Sequence, residues 1–400
     1  MGRPPETPLA TPGARPRQDP GAAPHPLPAS LFVGFAVASI GGPIALLTLL
    51  PGTAGDGVDS AGLVVALALL VFAAPLWIWL AYSGRVVTPG GLSAFVEAAA
   101  GRRAAVAHGW IWALAYFLYL PYTVTFVVYD LLPPVFPGIH PYRAALELAL
   151  PAVLVVVALA PVRVVLAGLG VLAAAEIVAL LLLGAVELSH AGARFASHPS
   201  LNDTGRATGG AALLFVCASL PLYLGAEVRG GSRTVRRGLA AAVAVVGAAF
   251  LVAAIPLAAV PDSLRDAAVP GAAIAQAYGG RGLAVAVGLL TAGGTLALIV
   301  AEYLALGRLL HWLHGPPVRT ALAWIAVPFL AADALSLVNP DRFYDDLLKP
   351  SLGALFVSQL VVFLVFPRFR RGALALGAAA VASGLAVWGF YTLIAGSAST

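Results

Sequence analysis

Apolar residues in this chain gather in long unbroken stretches instead of alternating with polar ones. Eleven stretches fall at about 31–50, 62–82, 105–131, 145–160, 163–187, 210–226, 239–260, 282–312, 320–337, 351–366 and 373–395. Roughly 20 apolar residues in a helix cross the hydrocarbon core of a bilayer. Barrel strands would show a period of two. Continuous apolar character therefore predicts membrane-crossing α-helices, which satisfy their own backbone hydrogen bonds in lipid. The fourth and ninth stretches are short, consistent with tilt or partial merging with a neighbour. Residues 1–30 are rich in Pro, Gly, Ala and Arg and have no apolar period, so they read as a disordered tail. The first apolar run starts near Leu31, too late for the apolar region of a cleaved signal peptide.

Composition agrees. The 400 residues are 60% hydrophobic and only 10% charged, against about a quarter charged in a soluble domain. A soluble globular protein is excluded. The single cysteine, Cys217, forbids an intrachain disulfide; in its apolar run it reads as a small buried side chain.

The net charge of +5 acquires meaning from its distribution. With the N-terminus in the cytoplasm and eleven alternating spans, the outer loops hold Arg143, Arg194, Arg206, Arg265, Arg281, Arg342 and Lys349, and the other 16 of the 23 basic residues are cytoplasmic. Positive charge concentrates on the cytoplasmic side. The pattern thus predicts a multi-pass cell-membrane protein with its N-terminus inside. It does not call for nucleic acid as a partner.

Spans one to five cover about 31–187 and spans six to ten about 210–366, two blocks of similar length, followed by an additional helix within 367–400. Five is odd, so the blocks have opposite orientations, as in transporters built from inverted repeats. Such proteins bind substrate near the midplane where helices break at matching places. The first span, LFVGFAVASIGGPIALLTLL, carries Gly41, Gly42 and Pro43 at its middle. Glycines weaken a helix and proline removes a donor. The amides that open the second half-helix suit a carboxylate. The sixth span, ALLFVCASLPLYLGAEV, has Ser219, Pro221 and Gly225 in the corresponding part. Ser39, Gly41, Gly42, Pro43, Tyr116, Ser219 and Tyr223 are the candidate substrate-binding residues.

Residues 82–110, YSGRVVTPGGLSAFVEAAAGRRAAVAHGW, place Pro89 beside Gly90 and Gly91, then Phe95, Gly101, Gly109 and Trp110. This run resembles the second-to-third-helix signature of the amino acid–polyamine–organocation superfamily. YLGAEVRGGSRTVRRGLA (223–240) looks like the end of that family's sixth helix, and LALGRLLHWLHGPPV (304–318) like the end of its eighth. The resemblance covers about 31–366. It implies an all-α, five-plus-five inverted-repeat helix bundle of the LeuT type and transport of amino acids or related amines. The chain departs from the family pattern in several places. Pro89 adjoins the glycine pair, Gly41-Gly42-Pro43-Ile44 replaces Gly-x-Gly-Ile, the stretch after Glu227 is short, and there are eleven spans where many members have twelve.

Acidic groups inside spans are costly and therefore candidates for function. Glu176 lies near the middle of the fifth span. A carboxyl in apolar surroundings can carry a proton, or serve as a paired structural group. In some members of the resembling family a fifth-helix lysine stands in for sodium; the charge here has the opposite sign. Glu302, in the eighth span, is the second coupling candidate, with Arg308 six residues on as an expected partner. Glu227, at the end of the sixth span, is expected to act as an inner gate through Arg229 or Arg85, or to anchor the interface. Asp130 and Asp333 lie at outer ends and are expected to be solvated. Thr291 and Thr295 share a face of the eighth span. The paired adjacent hydroxyls of sodium-coupled relatives are absent, which favours proton coupling or exchange.

Trp112, Tyr116 and Tyr119 form one face of the third span, suited to an ammonium group or to packing. His311 and His314 make only half a metal site, so no metal and no cofactor are expected. Clustered acids or histidines at a membrane face, which a membrane enzyme would need, are missing apart from Asp345-Asp346. The sequence reads as a secondary transporter of a small molecule. A non-transporting sensor, receptor or channel on the same fold is the alternative, and homo-oligomerisation is left open.

Overall fold

The computed structural model describes residues 26–54, 59–194 and 200–396. Most of the N-terminal tail, with Arg3, Arg15 and Arg17, lies outside the described residues. The end of that tail belongs to the fold. Leu27 is buried, its amide donates to the Glu227 carbonyl at 2.7 Å, and its carbonyl accepts from the Arg229 amide at 2.9 Å. The first helix starts at Ala29.

Among the described residues the protein is all-helical, with eleven helical segments long and apolar enough to cross a membrane. They are Ala29–Gly52, Ala61–Ser83, Arg102–Leu131, Pro137–Leu159, Val162–Ala191, Leu201–Glu227, Gly231–Ala259, Pro270–His314, Val318–Ser336, Pro340–Phe369 and Ala373–Ile394. Each corresponds to one apolar run of the sequence. The fourth and ninth, 23 and 19 residues long, are also long and apolar enough to cross a membrane. A short helix, Gly91–Ala100, joins the second and third spans.

The exterior is apolar: Leu70 and Val171 are 72% and 73% exposed. In water such a surface would aggregate; in lipid it is the favoured one. Small residues bring helices together inside. A Cβ on Gly34 of the first span would lie 3.0 Å from Gly170 Cα of the fifth, so the two backbones cross at a glycine on each side.

Three departures from regular α-helix shape the interior. In the first span the helix ends at Ala38, Gly41 and Gly42 take φ of 70° and 69°, and a new half-helix starts at Pro43. Two successive left-handed residues need glycine, and proline suits the first helical position because its missing N–H has no intrahelical partner there. In the sixth span an α-helix, Leu201–Leu213, gives way to a 3₁₀ helix, Val216–Glu227. The change falls at Leu214–Phe215, before the Ser219-Pro221-Gly225 stretch, which winds as 3₁₀ without interruption. Twelve residues is long for this tighter winding, which usually stops after one turn. In the eighth span, Gly280 at φ 77° divides the 45-residue helix Pro270–His314.

Candidate functional site

The two interrupted spans meet at their breaks. A Cβ on Gly41 would lie 3.7 Å from the Leu214 carbonyl, where the sixth span changes winding. Gly42 faces the fifth and eighth spans: a Cβ there would be 3.0 Å from both Glu176 Oε2 and Gly294 Cα. From the other side, a Cβ on Gly294 would lie 2.7 Å from Glu176 Oε1. The Glu176 carboxyl is therefore wedged between two glycine backbones and is 1% exposed. The Ile44 amide hydrogen-bonds to it. Ile44 is the second residue of the half-helix that opens at Pro43, so Glu176 sits at the positive end of that helix. The sequence reserved these amides for a substrate carboxylate; in this conformation the chain's own carboxyl holds one of them.

Beside this junction, Thr48 of the first span and Thr291 of the eighth approach to 3.3 Å between hydroxyls, and Thr295 donates to the Thr291 carbonyl at 2.8 Å. The threonines and Glu176 thus flank one seam between the first and eighth spans. Gly294 was not singled out from the sequence, although the Gly293-Gly294 pair inside an apolar run is the kind of signal that marks a close approach.

An aromatic wall lies on the third and sixth spans. The Trp112 ring is 4.1 Å from Tyr116 and 4.3 Å from Tyr223, centroid to centroid. The Tyr116 hydroxyl points at Cys217 Sγ, 4.0 Å away. Tyr119 turns off this wall and packs edge-on against Tyr122 at 5.0 Å. Ser39 and Ser219 are buried but donate to carbonyls of their own spans, Phe35 at 2.7 Å and Val216 at 3.2 Å. Glu302 is fully buried, and neither of its carboxylate oxygens meets a hydrogen-bond donor among the described residues. It lies within electrostatic reach of Tyr116, Tyr119, Tyr122 and Cys217. The expected Glu302–Arg308 pairing is not formed.

Arg308 pairs instead with Glu227. Nε donates to Oε1 at 2.5 Å and Nη2 to Oε2 at 3.0 Å, the two-pronged geometry that suits guanidinium and carboxylate. Arg229 and Arg85, the partners expected from the sequence, are exposed; Arg85 lies over the Phe369 ring at 5.6 Å. The Glu227–Arg308 pair stands on the wall of a cavity of about 460 Å³, with Pro89, Pro161, His311 and Arg319 also lining it. His311 Nδ1 is 2.7 Å from the Pro316 carbonyl, and His314 packs 5.3 Å from the Trp110 ring. Asp130 is exposed, as expected, whereas Asp333 is fully buried. The ninth-span helix runs to Ser336, one turn beyond Asp333, and holds it inside the bundle.

No family model matches this chain, and no curated protein matches its sequence. Its fold matches the crystal structure of MhsT in complex with L-phenylalanine, with a TM-score of 0.63 at 14% identity, covering 90% of this chain and 97% of that one. The chain is thus an all-α polytopic membrane protein with the LeuT-type five-plus-five bundle and one additional C-terminal helix.

Proposed function

We propose that this protein is a secondary active transporter that moves amino acids or related amines across the cell membrane by alternating access, coupled to protons or working by exchange. The observation that carries the reading is Glu176 lodged between Gly42 and Gly294, on the amide end of the broken first span. An ionised Glu176 competes with a substrate carboxylate for that helix end. A protonated one is a poorer acceptor and yields it. Proton and substrate would then load together, which is the logic of symport.

Further support comes from the buried wall of Trp112, Tyr116 and Tyr223 on the third and sixth spans, suited to a side chain or an ammonium group. The likeness to a protein solved with a bound amino acid, L-phenylalanine, points to the same class of substrate. On this reading Ser39, Gly41, Gly42, Pro43, Tyr116, Ser219 and Tyr223 surround the substrate. Glu176, with Glu302 behind the tyrosines, handles the proton. Glu227 gates the inner cavity through Arg308. The repeats run over about 31–187 and 210–366, the N-terminus is cytoplasmic, and the family is the amino acid–polyamine–organocation superfamily.

Uptake of labelled amino acids and amines into proteoliposomes, with and without an imposed pH gradient, tests the proposal. Accumulation that follows the gradient, or counterflow without it, supports transport. Absence of uptake and counterflow for every amino acid and amine overturns it.

A further inference from the structure

Away from the helix breaks, oxygen-bearing side chains of three spans converge at one buried point. Glu147 of the fourth span is fully buried, and its Oε1 accepts from Thr125 Oγ1 of the third span at 2.5 Å and from Ser336 Oγ of the ninth at 2.7 Å. Its Oε2 meets no donor among the described residues. Asp333, one turn before Ser336, is fully buried as well, and neither of its carboxylate oxygens has a donor there. Ser336 links the two acids, its Oγ lying 2.7 Å from Glu147 Oε1 and 2.7 Å from the Asp333 carbonyl. Arg143, one turn before Glu147, is engaged elsewhere. Its Nη2 donates to the Tyr129 carbonyl at 3.3 Å and its guanidinium lies 5.2 Å over the Tyr129 ring.

Two carboxylates in an apolar interior are costly unless something neutralises them, and no ion pair among the described residues includes either one. The surrounding groups narrow what that something is. Two carboxylates and two hydroxyls are all hard oxygen ligands. No histidine or cysteine joins them in a metal-ligating group among the described residues. Oxygen-only sites favour alkali and alkaline-earth cations over transition metals. Asp333, one turn before Ser336, adds two buried carboxylate oxygens that have no donor among the described residues.

We propose that Glu147, Asp333, Thr125 and Ser336 form a binding site for a hard metal cation between the third, fourth and ninth spans, separate from the Glu176 junction. A divalent ion matches both charges; a monovalent ion matches one and leaves the other carboxyl protonated. The site ties together three spans, so its occupancy is read as stability and does not depend on whether the chain transports anything.

The test uses the purified full chain in detergent, freed of metal by chelator and held in choline chloride at pH 8. Thermal unfolding is followed on adding NaCl, KCl, CaCl2 or MgCl2 at matched ionic strength. A cation that binds only the folded state raises Tm in a saturable way. The expected result is such a rise with sodium or calcium. Asp333→Asn abolishes it, Thr125→Val moves its midpoint to about tenfold higher concentration, and Glu176→Gln leaves it unchanged. No saturable rise with any of the four salts overturns the proposal, and the carboxyls are then neutralised by protons alone. A wild-type response in Asp333→Asn also overturns it. If Asp333→Asn does not fold, Thr125→Val and Ser336→Ala decide, and an unchanged midpoint in both is the overturning result.

Discussion

Glu176 fills the space that a side chain on Gly294 would need, since a Cβ there would fall 2.7 Å from its Oε1. The fifth span thus delivers a carboxyl through a gap that exists only because the first and eighth spans both present glycine at that level.

Gly294→Ala is therefore expected to push the carboxyl away from the Ile44 amide. Overpacking of this kind costs about 1–3 kcal/mol and lowers Tm while the fold persists. Gly293→Ala is the control, because its Cβ would meet only Leu172 at an ordinary 3.7 Å. Thermal unfolding of both variants checks the contrast; equal effects would mean that the Glu176 contact is not what makes Gly294 special.

Glu176→Gln keeps the shape and an acceptor for Ile44 but cannot ionise. Uptake driven by a pH gradient is expected to vanish while substrate binding and counterflow survive, with a flattened pH dependence of counterflow. Driven uptake at the wild-type level would remove Glu176 from coupling.

Gly42→Leu places a side chain at a residue with φ 69° whose Cβ would be 3.0 Å from Glu176 Oε2 and from Gly294 Cα. The left-handed backbone alone costs a non-glycine residue about 1–2 kcal/mol. Loss of substrate binding is expected, read by ligand-induced thermal shift on protein that still elutes as a single species. Normal affinity would locate the substrate elsewhere.

Glu227→Gln strands Arg308, whose side chain is 4% exposed. Glu227 itself is 21% exposed, so losing this part-buried partner costs about 1–3 kcal/mol, and the Glu227→Gln/Arg308→Met double variant should recover part of it, a coupling that a double-mutant cycle in Tm reports. Arg229→Ala and Arg85→Ala, at exposed positions, are expected to change stability by less than about 0.5 kcal/mol. A larger loss from either would restore it as a partner of Glu227.

Particular residues show where the sequence was legible. Gly41-Gly42-Pro43 announced the break in the first span, because the backbone conformations that glycine and proline permit are local properties. That the sixth span departs from a regular α-helix was legible, but neither the place nor the form of the change was. Pro221 suggested an interruption, yet that part of the helix tightens to 3₁₀ and the change occurs at Leu214–Phe215, set by packing against the first span. Glu302 and Arg308, six apart on one helix, looked like partners. They face different neighbours, and Glu227, 81 residues before Arg308 in the chain, takes the guanidinium.

By itself the sequence determined the number and character of the helices. Burial in lipid is decided by runs of apolar side chains, and a helix satisfies its backbone within its own run. The tertiary structure alone decided which charges meet. Glu176 reaches the Ile44 amide, Glu227 reaches Arg308, and Glu147 reaches Ser336, because these are contacts between spans far apart in the chain. Hydrophobic patterning fixes that a helix crosses the bilayer but leaves its neighbours open; the close approach of small residues such as Gly34 to Gly170 and Gly42 to Gly294 fixes those.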